Sequence, residues 1–194
     1  SVDILKKETV PKSDNVSIAT RDSPTTMAGL AEGLKYRLAP EDEFTHEPGD
    51  AENYNESMYF NAFDFKSGLG GWFRLGNRPN QRYAEMSVCL YLPDGRVAFM
   101  FQRPEITHND EMNAGGMKID VVEPFKELKV TYEGKALVMT DPLQMADPKV
   151  AFSSNPRLPC TVSLTYKGQS PMYGGETVHE DGTPLEIDPE KSFA

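Results

Sequence analysis

Three carboxylates stand inside strand-like runs rich in aromatic residues: Glu56, Asp64 and Glu85. In the run 56–65, Glu56, Met58, Phe60, Ala62 and Asp64 share one face. Ser57, Tyr59, Asn61, Phe63 and Phe65 share the other, so neither face is purely apolar. The alternation Tyr83, Glu85, Ser87, Cys89, Tyr91 is mixed in the same way. One reading is an outer face with aromatic packing. The sharper one is a lumen walled by rings with a few polar groups, as ligand cavities are. Tyr59, Phe60, Trp72, Arg74, Tyr83 and Tyr91 are then the ligand-binding residues, with Trp72 and Arg74 on one face of their strand. An arginine beside Glu56 or Asp64 forms a buried pair, costly unless it serves a purpose. His108, with Asp110 and Glu111, is the best histidine cluster. It reads either as a plain surface loop or as a barrel-mouth loop that donates a general base.

Other chemistries find no support. His46, His108 and His179 are scattered without ligand spacing, and a zinc site needs at least three converging ligands. The acidic loop 41–55 lacks the spacing of a calcium loop. Gly68-Leu69-Gly70-Gly71 joins two strands with no helix after it, so it reads as hairpin glycine rather than a phosphate cradle. No Gly-x-Ser-x-Gly elbow occurs. No metal and no cofactor are expected. A net charge of −10 repels nucleic acid and anionic membranes alike. No apolar run reaches the ~18 residues of a membrane span. No signal peptide opens the sequence, so a cytoplasmic location is expected. Cys89 and Cys160 read as two buried free thiols, with a single bridge between them left open.

The elements that must position these residues are strands. Segments 56–65, 71–78, 82–92 and 95–103 alternate and are separated by turns such as Pro93-Asp94-Gly95. They predict consecutive antiparallel strands of one sheet. Further strands are predicted at 117–122, 126–133, 136–140 and 160–167, with Glu133-Gly134-Lys135 as a turn. About eight strands at this spacing predict an all-β barrel or curved sandwich. Ser23-Pro24 resembles a helix start, and Met27, Leu30, Leu34 and Leu38 follow at helical spacing until Pro40. Residues 141–159, with four prolines, read as a long loop. The domain reading is therefore an N-terminal arm with one short helix over 1–53, a β-barrel over 54–167, and a linker-like tail over 168–194.

Asn55-Glu56-Ser57, Phe60 and Asp64, then Gly71 to Asn80, then Leu90 to Arg96 carry a family resemblance. Over roughly 54–167 the chain resembles the first barrel of the AttH-like and carotenoid 1,2-hydratase-like (hydroxyneurosporene synthase-like) proteins. The resemblance implies an antiparallel lipocalin-like (calycin) barrel, the first of two. The second barrel of such proteins carries an Asp-x-Ser-Trp-Gly-like motif, which this sequence lacks; its one tryptophan is Trp72. The implied partner is a second β-barrel, in the same polypeptide or another chain. The implied activity is that of a hydratase or cyclase acting on a hydrophobic, isoprenoid- or steroid-like molecule. Protonating an alkene requires a neutral carboxylic acid in a dry pocket, where burial raises its pKa. Glu56, Asp64 and Glu85 are the candidates for that role. Two other functions stay open: a non-catalytic carrier of a hydrophobic ligand, and a solidly packed half-domain that docks a catalytic partner. An open lumen favours the first two and a filled one the third.

Overall fold

A computed structural model describes residues 38–170, together with the backbone of three short strands outside that range. In chain order the elements are β1 (Val2–Ile4), β2 (Leu34–Tyr36), β3 (Glu56–Asp64), β4 (Leu69–Arg78), β5 (Tyr83–Tyr91) and β6 (Val97–Gln102). There follow β7 (Met112–Ala114), β8 (Met117–Glu123), β9 (Glu127–Met139), α1 (Pro148–Ser154), β10 (Arg157–Lys167) and β11 (Thr177–His179). The fold is all-β, a curved antiparallel sheet with one short helix. Its strand order is β1-β10-β9-β6-β5-β4-β3, with β8 on the free flank of β9 and β7 on β8. β2 and β11 pair with each other separately. The four consecutive strands expected between 56 and 103 are present, antiparallel and in order.

β9 ties the sheet together. β10 pairs with it from Glu127 to Leu137. On its other flank β8 occupies Glu127 to Tyr132 and β6 occupies Leu137 to Met139. The sheet therefore folds over itself, with β3–β6 facing β7–β10. Period-two alternation sends Phe73, Leu75, Met86, Val88 and Leu90 inward from one side, and Met117, Ile119, Val130, Tyr132 and Val162 from the other. All of these are essentially buried, and Phe60 packs on Tyr166 across the gap with ring centroids 5.0 Å apart. These side chains form one contiguous apolar cluster between the two layers. Cys89 and Cys160 are both buried and free, and burial pushes the Cys160 thiol up to about 11.

Three expectations are corrected. The turn at Glu133-Gly134-Lys135 does not form, because β9 runs through it unbroken. Gly134 is there to make room: a Cβ on it would lie 2.5 Å from the Tyr132 hydroxyl, which donates to the Lys135 carbonyl. The loop expected over 141–159 contains α1, whose start has clear local causes. Pro148 stands at its first position, and the Asp147 carboxylate accepts from the amides of Lys149 and Val150. The helix expected from Ser23 to Pro40 lies mostly outside the described residues, and within it Leu34–Tyr36 is a strand. Strand β11 falls in the tail read as a linker, and the strands β1 and β2 fall in the arm.

Replacing Gly134 by Ala should push Tyr132 out of place and destabilise the fold by about 1–3 kcal/mol. Urea unfolding measures this, and adding Tyr132→Phe, which removes the nearest clashing atom, should recover part of the loss.

Candidate functional site

The outer face of β3–β6 carries the aromatic residues that the interior does not use. Tyr59 faces outward and stacks on Trp72 with centroids 6.1 Å apart. Trp72 meets Phe99 of β6 at 6.3 Å, and Phe99 meets Phe152 of α1 edge-on at 6.2 Å. A second pair, Phe63 and Tyr91, stacks at 6.1 Å over Gly70. Gly70 is paired in register with both, and a Cβ on it would run into the Phe63 ring at 2.3 Å. The glycines read as hairpin residues thus divide their labour. Gly68 turns with a positive φ, while Gly70 is a flat seat for rings inside β4.

One end of this face is covered. α1 and the turn before it lay Ala151, Phe152 and Met145 over Leu137, Met139, Val97 and Phe99. The other end is open: Tyr59 is 57% and Phe63 53% exposed, and Tyr91 and Phe101 are 40% exposed. Four large aromatics on one sheet face exceed the scattered apolar exposure that needs no explanation.

Beside the rings lies a charged cluster. Register places Arg74, Gly76 and Arg78 of β4 on this same outer face, with Glu85 opposite Gly76. Glu85 receives Arg74 Nη1 at 3.3 Å and Arg103 Nη2 at 3.0 Å, and Arg78 Nε lies 3.6 Å away. Burial alone would push the Glu85 carboxyl up. The hydrogen bonds from Arg103 and Arg74 and the charge of Arg78 outweigh it and hold the group below the usual glutamate range. The Arg103 guanidinium also lies over Tyr83 and Phe101, 5.3 and 5.7 Å from the ring centroids.

A third constellation sits at the start of β3. Glu56 accepts from the His46 amide, from His46 Nδ1 at 2.5 Å, and from Asn109 Nδ2 at 2.7 Å. Asn109 in turn donates to the His46 carbonyl and accepts from the buried Asn77. One carboxylate therefore binds the loops around 46 and 109 to the sheet. A cleft of about 180 Å³ opens nearby beside Met58, Met112 and Ile119, rimmed by Glu43, Asp110, Lys118 and Asp120. Among the described residues no three histidine, cysteine or acidic side chains converge as a metal site.

The expected site residues therefore separate. Tyr59, Trp72, Arg74, Tyr83 and Tyr91 share the outer face, and Phe60 alone points into the core. Glu56, Asp64 and Glu85 do not meet. Glu85 is the arginines' counter-ion and Glu56 a loop clasp. Asp64 holds a turn: bonds from the Ser67 hydroxyl and the Lys66 amide keep its carboxyl below the usual range. The upward shift needed by a proton donor is thus absent from Asp64 and Glu85. His108 pairs with its neighbour Asp110 in an exposed loop. His46, Asn109, Arg78 and Arg103 carry the connected networks and were not among the expected residues. Their partners lie 10 to 63 positions away for His46 and Asn109, which no local motif reports.

These features define an all-β domain with a buried apolar core and exposed aromatic rings on the outer face of its sheet. The chain belongs to a family of domains of unknown function, DUF7064, whose model matches residues 39–194. No curated protein and no solved structure matches it. No helix among the described residues is long and apolar enough to cross a membrane.

Because Glu85 has a lowered pKa in the folded chain, its contribution to stability is present above the ordinary value of 4.5 and lost as pH falls through the lower folded value. Glu85→Gln should therefore lower the urea midpoint at neutral pH. The gap from the unmodified chain should shrink below about pH 4.5 and vanish in stronger acid.

Proposed function

We propose that this domain is a binding module that docks a second β-rich domain through the outer face of β3–β6. The observation that carries the reading is the open aromatic surface of Tyr59, Phe63, Trp72 and Tyr91, beside a core already closed by its own side chains. A flat sheet face suits another sheet, since two sheets pack with their alternating side chains interleaved at about 10 Å. α1 already covers the β6–β9 end, so a partner on β3–β5 extends an apolar layer that the chain has begun.

The reading agrees with the two-barrel arrangement that the family resemblance implies. In it the hydratase or cyclase chemistry belongs to the partner, and this chain supplies the platform. What speaks against proton donation by this domain itself is that Asp64 and Glu85 are held ionised by hydrogen-bond donors.

Hydroxyl-radical footprinting tests the proposal on this chain alone and on the native assembly isolated from its source. Tyr59, Phe63 and Tyr91 should be labelled readily in the first and protected several-fold in the second. Equal labelling of the three in both samples overturns the docking face.

A further inference from the structure

We infer that Arg74, Arg78 and Arg103 form a site for a small organic anion: a carboxylate or phosphate carried on a planar ring. Three guanidinium charges surround the single carboxylate of Glu85, which leaves a surplus of two positive charges. The chain as a whole carries −10, so a local excess of this sign stands out. Arg74 and Arg78 are only 28% and 23% exposed, so their charges are partly removed from water and gain from a further counter-ion.

The donors are also in surplus. Each guanidinium offers five N–H groups in a rigid fork, and Glu85 has two oxygens. Arg78 Nε is buried and makes no hydrogen bond, with the Glu85 carboxylate 3.6 Å away as its counter-charge. Its Nη1 reaches only long contacts, 3.5 Å to the Asn53 carbonyl and 3.4 Å to Gln81. The Arg103 side chain, 58% exposed, presents the guanidinium edge that an oxyanion can reach.

The surroundings of the cluster agree. Gly76 lies between Arg74 and Arg78, and a Cβ on it would sit 3.0 Å from Arg74 Nη2 and 2.9 Å from Asn55 Oδ1. A side chain there would displace the Arg74 guanidinium, so the glycine lets Arg74 lie close against the sheet. Rings flank it on two sides: Tyr83 and Phe101 under Arg103, and Tyr59 paired in register with Arg74 and stacked on Trp72. An anion anchored by the arginines therefore finds an aromatic surface for the rest of its body. Glu105 faces solvent and pairs with Arg82 rather than with the cluster.

The site shares Tyr59 and Trp72 with the docking face but does not need a docked partner, so it is tested on the chain alone. Isothermal titration compares phenyl phosphate, benzoate and inorganic phosphate. Phenyl phosphate should bind with a Kd tighter than about 10 mM and about tenfold tighter than inorganic phosphate, the ring supplying the difference. Benzoate against phenyl phosphate decides which oxyanion is preferred. Arg74→Gln with Arg103→Gln should weaken phenyl phosphate at least tenfold, whereas Arg82→Gln, outside the cluster, should leave it unchanged. Far-UV circular dichroism confirms that each variant is folded. If all three anions bind more weakly than about 10 mM, or if the folded double variant keeps its affinity, the site is overturned.

Discussion

The structure depends on one strand having two different neighbours on the same flank. β9 is thirteen residues long, and β10 holds it along most of that length. On the opposite side β8 claims its first half and β6 its last three residues. The two facing layers are therefore joined by hydrogen bonds within a single strand rather than by packing alone. Everything else follows from that junction. The core is the space enclosed as β9 passes between layers, and the outer aromatic face exists because β3–β6 present their other side to solvent. Gly134 is the local concession that lets a buried tyrosine sit beside the backbone at the crossing. With β9 shared, neither layer is a free-standing unit, and cooperative unfolding is the natural behaviour.

Much of this architecture is legible in the sequence, for a definite reason. Strands β3 to β6 are announced twice, once by alternation and once by turn chemistry such as Pro93-Asp94-Gly95, and both signals are local. β10 shows through Cys160, Val162, Leu164 and Tyr166 for the same reason. The failures are equally physical. Glu133-Gly134-Lys135 has turn composition, but the glycine answers a neighbour's bulk, and that neighbour's position is set by tertiary contacts. The start of α1 was readable from Asp147-Pro148, a capping residue before a proline, although its surroundings look like loop.

The candidate site was legible as a set of residue types and illegible as a place. Alternation assigned Tyr59, Trp72, Arg74 and Tyr91 to consistent faces, but it cannot say which face is the core. That choice is made by the facing layer, whose residues lie far away in sequence. Burial went to the side with Met58, Phe60, Phe73 and Leu75, and the other side kept its rings at the surface. The partner of Arg74 illustrates the same limit. A carboxylate beside it was foreseeable, yet the choice of Glu85 over Glu56 or Asp64 follows from strand register and from the inward reach of Glu56 to His46.

β3 ends the sheet, and among the described residues no strand pairs with its far flank. Its central residues, Tyr59 to Phe63, contain no proline, lysine or bulge of the kind that usually blunts such an edge. Left to itself, a bare ladder of this sort is a template for aggregation. Two copies meeting there about Phe60 would set Glu56 of one against Asp64 of the other at both ends of the shared ladder. Like charges placed opposite each other weaken a strand pair. In that register the two acids act as a molecular insulator, making this self-pairing of the edge a poor match.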